Sequence, residues 1–190
     1  MSKQAKVLNK AELKKLLNYV KISRYAERNR LVVMLSFLAG LRAVEIANLR
    51  VCDVIGRNGA VQDLIVLAEN QTKGKDRQTV YVSKKLKAEI KKYLKLQPYL
   101  LENPRFRLIS SQKGNFNSQT IQNLFRKLYT EAGIDHASSH SGRRTFITEL
   151  SNNGISVHVI KKLARHSSLS VTQRYIDISE DKIIKAINSI

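Results

Sequence analysis

Apolar residues recur at helical spacing near the start of the chain. Over residues 10–20, Leu13, Leu16 and Leu17 fall on one face of a helix. Asn9 precedes this segment, and an Asn side chain is well suited to accept a hydrogen bond from a free N–H at a helix N-terminus. The pattern therefore predicts an amphipathic helix that begins after Asn9.

The next segment, residues 25–38, is apolar on most sides, which predicts a helix at the centre of the core. Gly40 interrupts it, and Gly133 ends a later helical pattern. Further helices are predicted over residues 43–49, 84–96, 118–132, 144–152, 156–164, 171–175 and 180–190.

Two stretches rich in β-branched and aliphatic residues, 61–67 and 78–82, flank a turn-like segment at 72–76. They predict a β-hairpin with a basic tip. Because the sequence shows no repeat and no clear linker, we expect one domain over residues 1–190. Its predicted fold is mainly α with a small antiparallel β-sheet or hairpin (α+β).

The composition of the chain indicates what kind of partner it binds. The 190 residues are 43% apolar and carry a net charge of +19, so the chain is a folded and strongly basic protein. A surplus of this size favours a polyanionic partner, with nucleic acid ahead of an anionic membrane surface. The longest apolar run, residues 31–41, is too short to span a bilayer, and the first ten residues lack a signal-peptide apolar region. We expect a cytoplasmic protein without a membrane partner.

Several kinds of site lack their residues. The one cysteine, Cys52, excludes an intramolecular disulfide and a thiolate zinc cluster. His136 and His140 lie four apart, but no third and fourth ligand follows at a suitable spacing. The phosphate-binding motif GxxxxGK[ST] of NTPases is absent from the sequence. We therefore predict no metal and no cofactor.

Residues suited to phosphodiester chemistry recur between positions 140 and 175. His140 and Arg143 lie three apart, on a helix expected to begin near Ser138 or Ser139 as its cap. His166 and Tyr175 follow, nine residues apart, on either side of a predicted cap at Ser170. A guanidinium can hold two phosphate oxygens, an imidazole can donate or take a proton, and a phenol can attack if cations and a base assist it.

Two earlier segments supply further cations. Arg42 stands at a predicted helix start, where free N–H groups and the dipole favour a phosphate, and Glu45 can fix its guanidinium. Lys73, in the hairpin turn, could protonate a departing alkoxide. Taken singly, each has an ordinary alternative. These are a surface ion pair for Arg42, a solvated turn for Lys73, a solvated helix start for His140 and Arg143, and a core or surface position for Tyr175.

Taken together, four segments resemble the catalytic domain of the tyrosine recombinases (phage integrase family). AGLRAVEIANLR is similar to the first arginine motif and TKGKDRQTVYV to the β-hairpin lysine motif. HSGRRTF is similar to the H-x-x-R box, and LARHSSLSVTQRYI to the final box with its His and Tyr nine apart. The resemblance extends over about residues 8–177 and is closest to short, catalytic-domain-only members such as the fimbrial inversion recombinases. It implies a bacterial, phage or plasmid context.

The resemblance implies a site-specific DNA recombinase that needs neither metal nor ATP. It implies that Tyr175 attacks the scissile phosphate to form a 3′-phosphotyrosine, while Arg42 and Arg143 hold the nonbridging oxygens. Lys73 would protonate the 5′-oxygen that leaves. His140 would assist proton transfer at the tyrosine, His166 would donate a hydrogen bond to the phosphate, and Glu45 would support Arg42.

The implied partners are double-stranded DNA, a homo-oligomer on DNA (a dimer per site and a tetramer in the synapse) and accessory DNA-bending proteins. We expect further DNA contacts from cations next to the motifs, namely Lys75, Arg77, Arg144, Arg165 and Arg174. With no separate N-terminal domain expected, the grip on DNA falls to this domain, its oligomer or helper proteins. The C-terminal helix would pack either on its own core or on a neighbouring subunit.

Two departures from the family pattern stand beside the motifs. Gly142 takes the place of a common Leu, from which we expect looser packing behind Arg143. Arg165 takes the place of the Gly that usually precedes the second His, which alters that turn.

Two other functions remain open at this point. One is a noncatalytic, sequence-specific DNA-binding regulator, which would bind in a salt-sensitive way and form no covalent adduct. The other is strand relaxation like that of a type IB topoisomerase, which shares the chemistry but reseals the same strand. An RNA-binding module is less favoured, since the sequence has no RRM or KH signature.

Overall fold

The computed structural model describes residues 4–72, 76–112, 114–175, 183–184 and 187–188. Its strands are β1 (Leu64–Leu67), β2 (Gln78–Tyr81), β3 (Ser110–Ser111) and β4 (Gly114–Asn115). Its helices are α1 (Lys10–Ile22), α2 (Ala26–Ala39), α3 (Ala43–Asn48), α4 (Val51–Val54), α5 (Lys84–Leu96), α6 (Ser118–Glu131), α7 (Ser141–Asn152), α8 (Val157–Ala164) and α9 (Leu169–Gln173).

The two small sheets are both antiparallel. Strand β1 pairs with β2 so that Leu64 lies opposite Tyr81, and Ile65 opposite Val80. Ile65 and Val80 are buried, while Leu64 and Tyr81 are exposed, as expected for a sheet with one face on the core. The predicted mainly α fold with a small antiparallel sheet is confirmed.

The start of α1 shows how local sequence sets a helix boundary. Asn9 Oδ1 accepts a hydrogen bond of 2.8 Å from the Glu12 backbone N–H, and Glu12 Oε2 accepts one of 3.0 Å from the Asn9 N–H. This reciprocal pair satisfies two N–H groups that the helix itself leaves free. The predicted cap at Asn9 is confirmed.

Helix α2 lies at the centre of the core and packs against α1, α5 and α7. Its apolar side chains are buried on nearly every side, as its sequence predicts. Gly40 ends the helix with φ 60°, and a Cβ at that position would lie 2.7 Å from the Phe146 ring. The left-handed conformation and the close neighbour both require glycine at this turn.

Helix α7 approaches α2 closely at Gly142. A Cβ at Gly142 would lie 2.4 Å from Ser36 Oγ and 2.8 Å from Phe37 Cδ2. The expectation of looser packing behind Arg143 is therefore wrong, because the missing side chain allows the two helices to touch.

The starts of two helices, α7 and α9, differ clearly from the predictions. Helix α7 begins at Ser141 with His140 as its N-cap, rather than at Ser138 or Ser139. The Ser141 hydroxyl instead accepts a hydrogen bond from the Ser138 backbone N–H, within the turn before the helix. Helix α9 begins earlier than predicted, and its cap is Ser168, not Ser170.

The predicted C-terminal helix lies mostly outside the described residues. Three apolar residues within its predicted range, Ile183, Ile184 and Ile187, are described and are all more than half exposed. No helix within the described ranges is both long enough and apolar enough to cross a membrane.

Candidate active site

The turn that ends α8 brings the site together. Arg165 has φ 55° and ψ 49°, a left-handed conformation. The His166 N–H donates to Lys161 O and the Arg165 N–H to Lys162 O, which is the hydrogen-bonding pattern of a Schellman cap. This conformation usually belongs to Gly, and it costs a residue with a Cβ about 1–2 kcal/mol.

The first guanidinium comes from Arg42, the N-cap of α3. Its Nη1 donates to Glu45 Oε1 at 2.6 Å, and its backbone N–H donates to Glu45 Oε2 at 2.8 Å. Its Nη2 donates to the carbonyl of Arg165 at 3.4 Å. The Arg42 side chain is one-quarter exposed, so its position is fixed on one side and open on the other.

The second guanidinium comes from Arg143, in the first turn of α7. It is 4% exposed. Its Nη1 donates to the carbonyl of Gly40 at 2.7 Å, and its Nη2 donates to the carbonyl of Ala164. Arg143 therefore joins the end of α2 to the end of α8.

The third guanidinium, Arg165, points into the protein. Its side chain is 2% exposed, and its Nη2 lies 2.8 Å from Glu45 Oε2. Further hydrogen bonds go to the carbonyls of Ala39, Gly40 and Leu163. The side chain of Arg165, which was predicted to contact DNA, is thus buried and paired with Glu45.

The imidazole of His166 is buried beside these cations. Its Nδ1 forms a hydrogen bond of 2.9 Å with the hydroxyl of Thr172, whose residue is fully buried in α9. Thr172 was not among the predicted site residues. Its only sequence signal is its position, six residues after His166 and three before Tyr175.

Tyr175 stacks on His166, with ring centroids 5.4 Å apart and ring planes 26° apart. On another side the guanidinium of Arg144 lies over the Tyr175 ring, 5.6 Å from its centroid. The tyrosine also packs against a small apolar cluster that contains Ile147 and Ile160. Tyr175 thus lies beside His166 of its own chain, and Arg144, predicted as a DNA contact, touches the tyrosine.

A cleft of about 1040 Å³ opens beside the cations. Its lining includes Arg42, Arg165 and His166, residues of β2 such as Tyr81, and His158, Lys161 and Lys162 of α8. Among the described site residues, Arg143 and Tyr175 are not part of this lining. The cleft has the basic border expected of a surface that receives a polyanion.

The remaining predicted residues lie around this centre or outside the described part. Arg77, Arg174 and His140 are exposed, and His140 stands at the start of α7, three residues before Arg143. Lys73 and Lys75 lie outside the described residues. In the described ranges, no group of three or more His, Cys, Asp or Glu side chains could hold a metal ion.

The charges in the site act on one another. Burial alone would raise the pKa of Glu45, but Arg165 and then Arg42 bring it below its ordinary value. Burial, Arg42 and Arg165 lower the pKa of Arg143 to about 9, so its guanidinium is still charged at neutral pH. Three guanidinium groups around one carboxylate leave the site positive, which suits a phosphodiester.

Burial and the three arginines also lower the pKa of His166 to about 4. The largest cause is burial, which disfavours the charged imidazolium, followed by Arg143, Arg42 and Arg165. At neutral pH the His166 ring is therefore neutral, with one nitrogen able to donate and the other able to accept.

Comparison with known proteins gives this arrangement a family. The profile of the phage integrase family matches residues 6–182. Tyrosine recombinase XerA of Thermococcus kodakarensis is 32% identical over 185 residues, which cover 95% of this chain and 61% of that protein. XerA of Pyrococcus furiosus is 30% identical over 186 residues, covering 96% and 60%. The chain thus spans less than two thirds of the length of these relatives.

Solved structures share the fold. A crystal structure of XerA recombinase superposes with a TM-score of 0.76 at 21% identity, over 100% of this chain and 65% of that one. The XerH site-specific recombinase, bound to its difH substrate before cleavage, gives 0.74 at 22% identity, over 98% and 55%. With the family profile covering most of its length, the chain belongs to the phage integrase family.

Proposed function

We propose that the protein is a site-specific DNA recombinase that cuts and rejoins strands through a 3′-phosphotyrosine. The observation that carries the proposal is that Tyr175 stacks on His166, a residue that lines a basic cleft together with Arg42. XerH is a site-specific recombinase bound to its difH substrate, and the Tn1549 transposon integrase is bound to a circular intermediate DNA; the shared fold supports DNA as the partner here.

The tyrosine hydroxyl would attack the scissile phosphorus, forming the Tyr175 O–P bond as the bond from phosphorus to the 5′-oxygen breaks. His140 would help to remove the phenolic proton, and Lys73 would deliver a proton to the 5′-oxygen. Because the phosphotyrosine ester retains the bond energy, a 5′-hydroxyl from the same or another duplex can reverse the step without ATP.

Arg42 and Arg143 would stabilise charge on the nonbridging oxygens. A guanidinium has five N–H donors, and among the described residues Arg143 and Arg42 each donate two side-chain hydrogen bonds to protein acceptors. These bonds fix the orientation of each guanidinium, and Arg42, which is one-quarter exposed and lines the cleft, can direct further donors to phosphate oxygens. Such fixed donors act without reorganisation during the reaction.

The neutral ring of His166 would add a further donor. We assign the Thr172 hydroxyl as the donor to Nδ1. The ring proton of His166 then lies on Nε2, from which it can form a hydrogen bond to the phosphate. A neutral imidazole suits this place because a fourth full charge beside three guanidiniums would be repelled.

Binding to DNA would rest on the cleft and its basic border. Lys161, Lys162 and His158 of α8 line the cleft. Arg77, Arg174, Lys75 and Lys73 would be further phosphate contacts. Each neutralised phosphate adds about −0.9 to the slope of log affinity against log salt. A homo-oligomer on DNA, with a dimer per site and a tetramer in the synapse, and accessory DNA-bending proteins complete the proposal.

The test begins with a library of nicked DNA duplexes that carry a randomised segment. Cleavage close to the nick releases a short strand, so a covalent adduct accumulates and survives SDS. We expect an SDS-resistant protein–DNA band with the wild-type protein and none with Tyr175→Phe. The absence of an adduct with the whole library, or an unchanged band with Tyr175→Phe, would contradict the proposal.

The enriched sequence then separates recombination from relaxation. Two copies are placed in one supercoiled plasmid, with a single-copy plasmid as the control. We expect inversion or excision of the DNA between the two copies. Relaxation of both plasmids without exchange would indicate a topoisomerase instead, and salt-sensitive binding without any adduct would indicate a DNA-binding regulator.

A further inference from the structure

Arg165 combines a buried side chain with a left-handed backbone conformation, and both are unusual for an arginine. An arginine is rarely buried unless it is paired, and a left-handed turn is rarely built from a residue with a Cβ. Arg165 shows both rare features, with φ 55° and a side chain that is 2% exposed. Its hydrogen bonds and its ion pair in the interior must therefore offset the cost of burial and the cost of the left-handed turn.

The partners of the Arg165 guanidinium lie at the end of α2, in the turn after it and in α3. Nη2 of Arg165 donates to Glu45 Oε2 at 2.8 Å and to Gly40 O at 3.2 Å. Nη1 donates to Ala39 O at 3.2 Å. The guanidinium thus fastens the end of α8 to the turn between α2 and α3.

The backbone at the end of α8 also accepts hydrogen bonds from Arg42 and Arg143. The carbonyl of Ala164 accepts from Arg143, and the carbonyl of Arg165 accepts from Arg42. His166 follows immediately. The conformation of this one residue therefore sets the direction of two carbonyl groups and of the imidazole.

Glu45 closes the connection from the other side. Its carboxylate is fully buried and accepts from both Arg42 and Arg165. Without Arg165, the donor left to Glu45 Oε2 among the described residues would be the backbone N–H of Arg42. Gly40 O is also shared, since it accepts from Arg143 as well as from Arg165.

From this network we infer that Arg165 is a positioning residue, which locks the left-handed turn at the end of α8 onto Glu45 and Gly40 and thereby holds Arg42, Arg143 and His166 in one arrangement. The inference rests on the proposed recombinase function for its effect on cleavage. The lock itself is a property of the folded protein and can be measured without DNA.

The first experiment therefore uses the wild-type protein alone. Nitrogen-15 NMR of arginine side chains reports rotation about the bond between Nε and Cζ. We expect separate, slowly exchanging Nη signals for Arg165, assigned by their loss in Arg165→Lys, and a single averaged signal for the exposed Arg57. An averaged, rapidly exchanging signal for Arg165 would overturn the inference, whatever the outcome with DNA.

The second experiment measures adduct formation at saturating protein on the enriched nicked duplex. Arg165→Met removes the charge but keeps the length, Arg165→Gly also removes the cost of the left-handed turn, and Arg165→Lys keeps one charge toward Glu45. We expect the cleavage rate to fall about 10²-fold in the Met and Gly variants, because a small misplacement of catalytic groups has effects of that size. The Lys variant should recover part of the rate.

DNA affinity distinguishes a role of Arg165 in positioning the site from a role in binding DNA. DNA affinity, measured without cleavage in a Tyr175→Phe background, should change less than about threefold in all three variants, because Arg165 is not exposed to the duplex. Arg57→Met, an exposed residue outside the site, is the control for loss of one positive charge and should keep the wild-type rate.

Two outcomes of this arm contradict the inference. One is a wild-type or faster cleavage rate in Arg165→Gly, which would mean that the arginine is merely tolerated. The other is a loss of affinity that accounts for the whole loss of rate. If the wild-type protein forms no adduct with any duplex, the proposed function fails, while the NMR experiment still decides the lock.

Discussion

His166 Nδ1 lies 2.9 Å from Thr172 Oγ1, and Thr172 stands in α9, three residues before Tyr175. One buried hydrogen bond thus joins the imidazole to the short helix that ends two residues before the tyrosine. The stacking of Tyr175 on His166 forms a second contact between the same two segments. The orientation of His166 and the position of Tyr175 are therefore linked.

This link predicts a defined effect of Thr172→Val, which has nearly the same shape but no hydroxyl. The cleavage rate should fall about tenfold, since one buried hydrogen bond contributes about 1 kcal/mol and the ring would lose its fixed tautomer. Thr172→Ser, which keeps the hydroxyl, should stay near the wild-type rate. Nitrogen-15 NMR of His166 should show the Nε2–H form in the wild type, and a mixture of tautomers there would contradict the assignment.

The low pKa of His166 predicts how stability depends on pH. In the unfolded chain the ring takes a proton near its ordinary pKa of 6.5, whereas in the folded protein it does so only near 4. Between these values the unfolded state binds more protons, so the free energy of unfolding should decrease as the pH falls from 6.5 to 4. The loss from this group is at most about 3 kcal/mol.

Urea unfolding at a series of pH values measures this contribution. Acidic side chains also titrate in this range, so the relevant quantity is the difference between wild type and His166→Gln. The Gln variant should lose less stability on acidification, while His158→Gln, at an exposed position, should follow the wild type. Parallel curves for wild type and His166→Gln would rule out the depressed pKa.

Glu45→Gln tests the carboxylate that two arginines share. It leaves Arg42 and the buried Arg165 without their counter-charge, and breaking a buried pair in this way costs about 3–5 kcal/mol. The matched control is Glu89→Gln, which breaks the part-buried pair with Arg30 and should cost clearly less, because the Arg30 side chain is about one-third exposed to water. Equal losses in the free energy of unfolding would show that the Glu45 network adds nothing beyond a part-buried pair.

Gly142→Ala tests the close contact between α2 and α7. The added Cβ would lie 2.4 Å from Ser36 Oγ and 2.8 Å from the Phe37 ring, so we expect a loss of about 1–3 kcal/mol in stability. Gly56→Ala is the control, because its nearest neighbour, Asn58 Oδ1, lies 3.1 Å away at a more open site. A Gly142→Ala protein as stable as wild type would mean that the helices can separate at little cost.

Local sequence predicts much of this fold because local forces set it. Helix α1 begins after Asn9, whose side chain caps it, and α5 runs over the predicted residues after the cap at Ser83. The apolar pattern of α2 predicts its central position. The start of α7 was predicted less well, because Ser138, Ser139 and Ser141 are all chemically able to cap a helix and only the folded turn decides among them.

The candidate site was predictable as a set of residues but not as a geometry. The motifs identify Arg42, Arg143, His166 and Tyr175, which the structure brings together. The direction of Arg165 depends on a left-handed turn and on Glu45, which lies 120 residues earlier, so no local pattern reveals it. Thr172 is hidden for the same reason, since a threonine in a short helix has no distinctive signal until its partner is known.

The most direct test of the account is to identify the amino acid that carries the DNA. The covalent adduct is digested with nuclease and protease, and mass spectrometry locates the residual nucleotide. We predict a nucleotide joined through its 3′-phosphate to the hydroxyl of Tyr175, in wild-type protein and in Arg57→Met alike. A nucleotide on another residue, such as Tyr81 in the lining of the cleft, or one joined through a 5′-phosphate, would contradict the central claim.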